Sequence, residues 1–138
     1  MMVERVNGKR LTVPLDKAAV RRERNGVTLL AWLLMVHYAM QAAESVDAEV
    51  IDVSSLSPID WGTIGRSVQK TGRAIVVEEG PITGGVGAEI AASIAERWLS
   101  VRVSRVASPD FPVPFTPVLE NAYRPDKTRI AQAVKELQ

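Results

Sequence analysis

The stretch "VVEEGPITGGVGAEIAASIAERW", Val76 to Trp98, decides how this chain is read. An apolar run ends in two acidic residues and a cluster of glycines, and the glycines lead into Val86, Ile90, Ile94 and Trp98 at helical spacing. Strand, glycine turn and helix in succession open many phosphate-binding loops. The details here oppose that use. The only register for a dinucleotide fingerprint, Gly85-Val86-Gly87-Ala88-Glu89-Ile90, lacks its third glycine, and no Gly-Lys-Ser/Thr closes a P-loop. Glu78, Glu79 and Glu89 would repel a phosphate at the helix start. Gly84, Gly85 and Gly87 therefore read as a structural loop, supplying positive φ angles and close packing of the helix on its strand.

Outward from this unit the same alternation recurs. The runs "VTLLA" (Val27 to Ala31), "EVIDV" (Glu49 to Val53), "AIVV" (Ala74 to Val77) and "VRVSRV" (Val101 to Val106) read as strands. Between and after them, Leu33, Val36, Met40 and Ala43, then Trp61, Ile64 and Val68, then Ile130, Val134 and Leu137, step by three or four residues, as helices do. Ser57-Pro58-Ile59-Asp60 and Pro125-Asp126 place caps and prolines at two helix starts. Strands alternating with helices require crossovers, hence a largely parallel sheet covered on both faces. An early strand near Lys17 to Arg22, before the Asn25-Gly26 turn signal, is expected to lie antiparallel at one edge. Residues 1–10 read as an N-terminal extension and 11–138 as one domain.

The totals exclude several functions. With 138 residues and 46% hydrophobic content, the chain can close one core unaided. The absence of cysteine removes disulfides, thiolate metal sites and a thiol nucleophile, and suits a reducing compartment. A formal charge of +1 gives no broad positive field for nucleic acid. The most apolar window, Val27 to Met40, is fourteen residues long and too short to cross a hydrocarbon core of about 30 Å. The N-terminus carries no secretory signal pattern, so a cytoplasmic location is expected.

Residues able to do chemistry are few. His37, the only histidine, has Met40 and Gln41 rather than a carboxylate one turn on, and reads as structural. Ser54, Ser55 and Ser57 lack the glycine-flanked elbow of a hydrolase nucleophile and read as turn and cap residues. Glu78 and Glu79 follow a strand, where neighbouring side chains diverge. No catalytic, cofactor-binding or metal-binding residue is assigned. In Ala107 to Asp126, five prolines forbid a long regular element, while Phe111, Val113, Phe115 and Val118 are too apolar for a solvated loop. This segment either wraps over its own domain or contacts a partner.

The order of these pieces carries a resemblance. "IDVSSLSPID", "KTGRAIVVEEGPITGGVGAEI" and "PDFPVPF", preceded by "VPLDKA" and followed by "YRPDKTRIAQAVKEL", resemble the C-terminal domain of the β subunit of thiamine-diphosphate-dependent 2-oxo acid dehydrogenases. Pyruvate, branched-chain 2-oxo acid and acetoin dehydrogenases share this domain, as in broader form does transketolase. The resemblance implies a three-layer α/β/α domain, its five-stranded sheet mostly parallel with one antiparallel edge strand. It implies an assembly part of the decarboxylating component, supporting oxidative decarboxylation of a 2-oxo acid with acyl transfer to lipoamide. The alternative is a free-standing interaction or regulatory module that kept the fold without the enzyme.

On this resemblance thiamine diphosphate and magnesium belong to the full enzyme, held by an α subunit and a preceding β-subunit domain, and none is bound by this chain alone. The implied partners are those two parts, the lipoyl acyltransferase core and a second copy of the domain, with Trp98, Phe111 and Phe115 as candidate interface residues. Neither nucleic acid nor a membrane is expected as a partner. The chain departs from the family at Leu33-Leu34, where a small glycine-containing turn is usual, at Ser54, where arginine is common, and at Ile82, where many members have a basic residue.

Overall fold

The computed structural model describes residues 3–6 and 9–138, with side chains from Thr12 onward. In chain order the elements are β1 (Val3–Val6), β2 (Lys9–Thr12), β3 (Ala19–Arg22), β4 (Val27–Ala31), α1 (Leu34–Ala42), β5 (Ala48–Asp52), α2 (Trp61–Thr71), β6 (Arg73–Pro81), α3 (Val86–Arg97), β7 (Arg102–Ser108), α4 (Pro117–Tyr123) and α5 (Lys127–Leu137). A five-stranded sheet runs β3-β5-β4-β6-β7. β4, β5, β6 and β7 are parallel, and β3 pairs antiparallel with β5 at the edge, as the sequence predicts. β1 and β2 form a separate antiparallel pair that the sequence reading leaves as an extension, and β2 spans the boundary drawn at Leu11.

The two-residue period of the strands sorts the core into two layers. On one face Val27, Leu29 and Ala31 of β4, Val50 of β5, and Ile75 and Val77 of β6 meet Met35 and Ala39 of α1 and Ile130 and Val134 of α5. On the other, Leu30, Ile51, Val53 and Val76 meet Ile64 and Val68 of α2 and Ile90 and Ile94 of α3. β4 and β6 are buried on both faces, which is why they read as unbroken apolar runs.

The α2/α3 face also carries polar locks. Thr28 Oγ1 of β4 lies 2.7 Å from Ser67 Oγ and 2.8 Å from Thr71 Oγ1 of α2, so each buried hydroxyl finds a partner. Glu49 of β5, almost wholly buried, pairs with Lys70 of α2 and accepts from Arg24 N. Burial pushes its pKa up, but Lys70, Ser67 and the Arg24 N–H outweigh that and hold it below the usual value. Gly65 of α2 lets the Trp98 indole lie against the helix, and Arg97 sits 4.9 Å over the Trp61 ring.

Helix ends follow local chemistry. Asp60 caps α2, accepting from Thr63 N at 3.0 Å, and Asp126 caps α5, accepting from Arg129 N at 2.8 Å. Gly72 closes α2 in the left-handed conformation, φ 68°, and turns the chain directly into β6. Asp60 also accepts from Thr63 Oγ1 and from Ala18 N, joining the start of β3 to α2. Partial burial raises its pKa, but these donors outweigh it and bring the value down to about 2. A folded-state pKa below the unfolded one stabilises the fold above pH 3.8, and that contribution is lost as the pH falls toward about 2. Thermal melts down this range are expected to show a loss that Asp60→Asn flattens; parallel curves for the two proteins would contradict the assignment.

Candidate functional site

The glycine turn is organised around one carboxylate. β6 runs on through Glu78 and Glu79 to Pro81, farther than its apolar core suggests. Glu78 shares the parity of Val76 and points at α3, where it is 2% exposed. Both of its oxygens lie 3.0 Å from Gly87 N in the first turn of α3. An acidic side chain at a helix N-terminus satisfies an orphan N–H and the helix dipole together. The anion position that a phosphate would occupy is thus taken by the chain's own Glu78.

The glycines make room for this group. A Cβ on Gly85 would lie 2.7 Å from Glu78 Oε1 and 2.5 Å from Pro81 O, and one on Gly87 would fall inside the contact distance of Oε1. The positive φ of the loop is at Gly84, 74°, whereas Gly85 is extended at φ −69° and ψ 160° as the cap of α3. Gly85 and Gly87 are thus required by close approach, and Gly84 by backbone conformation. The turn is tied to the segment after β7: Thr83 N and Oγ1 donate to Asp110 at 3.0 and 2.5 Å, Ile82 N donates to Ser108 O at 2.8 Å, and Arg105 Nη1 to Ile82 O at 2.6 Å. The two Thr83 hydrogen bonds hold Asp110 below the usual carboxylate pKa.

The other residues singled out in the sequence are scattered. Glu79, next to Glu78 on β6, is half-buried. Trp98 is half-buried, packed against the α2/α3 core. Phe111 is 54% exposed and stacks edge-on against Tyr123 at 5.1 Å; Phe115 is fully exposed. Around them Val113, Val118 and Leu119 are also exposed, and the short helix α4 starts at Pro117, where proline costs no hydrogen bond.

A cavity of about 550 Å3 opens at the carboxyl ends of β4 and β5. The chain leaves β4 for α1 on one face and β5 for α2 on the other, and a crevice forms between such diverging connections. One wall is apolar, built from Val13, Pro14 and Leu15 before β3 and Leu33, Val36 and Met40 around α1. Arg21, Asp52, Ser54, Ser55 and His37 supply the polar part. Asp52 Oδ2 accepts from Arg21 Nε at 3.1 Å and Nη2 at 2.6 Å, while Oδ1 accepts from Ser54 N and Oγ at 2.9 and 3.1 Å. Leu33 (φ 52°) and Ser54 (φ 59°), two of the family departures, are the non-glycine residues in the left-handed region among the described residues, and both line this cavity. The sequence gives His37 and Ser54 no shared site; their proximity arises from the β4–β5 pairing.

The glycine turn does not fit a diphosphate. The glycine-rich helix start is filled by Glu78, and no three His, Asp or Glu side chains are grouped to hold a metal among the described residues. No helix among them is long and apolar enough to cross a membrane.

A parallel sheet wound on both faces, with a glycine turn filled from within, defines an α/β domain in which that turn is built for packing. The chain belongs to the transketolase C-terminal domain family, whose model matches residues 16–130. It is 39% identical over 134 residues to the β subunit of acetoin:2,6-dichlorophenolindophenol oxidoreductase of Bacillus subtilis, covering 91% of this chain and 39% of that protein. It is 39% identical over 140 residues to the β subunit of the pyruvate dehydrogenase E1 component of Staphylococcus epidermidis, covering 96% of this chain and 43% of that one. A solved structure, "Split gene transketolase, inactive beta4 tetramer", superimposes with a TM-score of 0.80 at 27% identity, covering 92% of this chain and 44% of its own. The chain thus spans about two-fifths of the length of the curated relatives it matches.

Proposed function

We infer that this chain is the C-terminal assembly domain of the β subunit of a 2-oxo acid dehydrogenase's decarboxylating component. In that setting it supports oxidative decarboxylation of a 2-oxo acid with acyl transfer to lipoamide. The observation that carries this reading is the 39% identity to an E1 β subunit along 96% of the chain. Residues 11–138 form the domain in this reading, and the location is cytoplasmic. The cofactor's chemistry belongs to thiamine diphosphate and magnesium held by an α subunit and a cofactor-binding β domain. This chain contributes packing and partner surfaces, to those two parts and to a lipoyl acyltransferase core.

The test is affinity capture of the tagged chain from its own cells, with the recovered proteins identified by mass spectrometry. Recovery of a thiamine-diphosphate-dependent α subunit supports the reading; a capture containing no dehydrogenase subunit sinks it and leaves the free-standing module. Titration calorimetry of the chain alone with thiamine diphosphate and magnesium is expected to show no binding tighter than about 10 μM, equivalent to about 7 kcal/mol.

Self-association belongs to the same reading. Phe111, Val113, Phe115, Val118 and Leu119 expose apolar surface on a stretch stiffened by prolines, and stiff aromatic anchors lose little entropy on association. The β4 tetramer named for the solved neighbour supports assembly without turnover. The chain is expected to sediment as a two-fold dimer or larger, and Phe111→Ser, Phe115→Ser to shift it toward monomer with its circular dichroism unchanged. Identical monomeric behaviour of both proteins at hundreds of micromolar would contradict this.

A further inference from the structure

The cavity at the carboxyl ends of β4 and β5 has chemistry that the assembly role does not use. Its volume, about 550 Å3, falls within the roughly 300–1,000 Å3 of small-molecule pockets; it is an open crevice, with Leu33, Leu15 and Val13 exposed on its rim, and apolar walls with a few converging polar groups are the usual composition of such sites. The polar groups left over once internal pairs are counted bear on the ligand's head group. Asp52, the one acid lining the cavity, has both oxygens occupied, Oδ2 by Arg21 Nε and Nη2 and Oδ1 by the Ser54 N–H and hydroxyl, so the pair has no net charge and the groups left to meet a ligand there are donors. Arg21 is held by that pair, while its Nη1 has no hydrogen-bond partner among the described residues. The exposed His37 ring contributes a second donor at the same mouth. A guanidinium oriented by one carboxylate, here half-exposed, can take a second carboxylate on its remaining N–H groups.

The rest of the lining limits what can follow the carboxylate. Val36 and Met40 lie one helical turn apart on α1 and face the cavity together with Leu33, opposite Val13 and Leu15. These groups offer dispersion contacts and no hydrogen bonds to a polar ligand body. The geometry points to a binding site for a short aliphatic monocarboxylate, its head group at Arg21 Nη1 and His37 and its chain against Val36 and Met40. A phosphorylated ligand is less suited, because a dianion would meet one free guanidinium edge beside Asp52. This assignment stands on the cavity alone and does not depend on the dehydrogenase reading.

Hexanoate and 1-hexanol, alike in chain and different in charge, are the probes, added to the full chain while the methyl resonances of Met40 and Val36 are followed by NMR. Hexanoate is expected to saturate in the millimolar range and to bind at least about tenfold tighter than hexanol, a difference of about 1.4 kcal/mol. Arg21→Gln should bring the two probes to similar affinity, and Met40→Trp, which fills the cavity, should abolish both. The wild-type comparison needs no variant, so a poorly folding substitution does not blunt the test. Equal affinity of the two probes, Met40 and Val36 shifts that do not saturate, or shifts centred elsewhere would overturn the assignment.

Discussion

Gly87→Val is expected to lower the stability of the domain by about 3–5 kcal/mol, the largest single effect at the glycine turn. The branched Cβ would enter the space of Glu78 Oε1 and press on Val76, whose Cγ1 lies 3.3 Å from where the Cβ would stand. Overpacking of this kind costs about 1–3 kcal/mol. The displaced carboxylate, 2% exposed, also loses its bonds to Gly87 N, and bonds to charged groups contribute about 1.5–3 kcal/mol. The origin of the effect is checked by a double-mutant cycle of Gly87→Ala with Glu78→Ala in urea melts. The glycine substitution should cost less once the carboxylate is gone, with a coupling of about 1–3 kcal/mol. Additive costs would mean that Gly87 is needed for something other than room for Glu78.

Trp98 carries the second large effect. Its ring lies against Gly65, where a Cβ would come within contact distance of the indole, and it packs against the core cluster that contains Ile64, Val68 and Ile94. Trp98→Ala is expected to cost about 2–4 kcal/mol, below the range for a fully buried tryptophan because the side chain is half-exposed. Gly65→Val should cost about 1–3 kcal/mol by pushing the ring off the helix. Neither change should alter sedimentation if the contact surface lies around Phe115. A Trp98→Ala protein that melts like the parent but dissociates would instead place the indole between copies of the chain.

Much of the fold is legible because strands buried on both faces and helices buried on one leave different periods. Val27–Ala31 and the core of β6 read without ambiguity for that reason, and Asp60 and Asp126 mark their helices by cap chemistry. The β1–β2 pair is missed because it is short and largely polar, although the Asn7-Gly8 dipeptide between its strands is a hairpin signal. α4 is hidden by the prolines around it, of which Pro117 starts the helix. At the glycine turn the absence of a phosphate motif is readable. The identity of the group that fills it is not, because that depends on β6 continuing far enough for Glu78 to keep the parity of Val76. The cavity is the least legible feature: Arg21, His37 and Asp52 stand on three different elements, and only the β3–β5–β4 pairing brings them to one mouth.

The two coats of the sheet should tolerate sequence drift to different degrees. Each of the three inner strands sends one polar group into the α2/α3 coat: Thr28 to Ser67 and Thr71, Glu49 to Lys70, and Glu78 to Gly87. The α1/α5 coat is built mainly of interchangeable aliphatic contacts; its exceptions are Ser108 near the end of β7, Tyr38 at its margin, and the hydrogen bonds of Arg129 to Ala107 O and of Arg102 to Leu137 O at its β7 edge. Apolar layers accept many combinations of similar total volume, whereas a polar pair that loses one member leaves the other buried and unmet. Descendants of this sequence can therefore reshape α1 and α5 gradually, while α2 and α3 change only in matched steps. A library randomised on each coat in turn, selected only for folding, should recover many solutions for the first and few for the second.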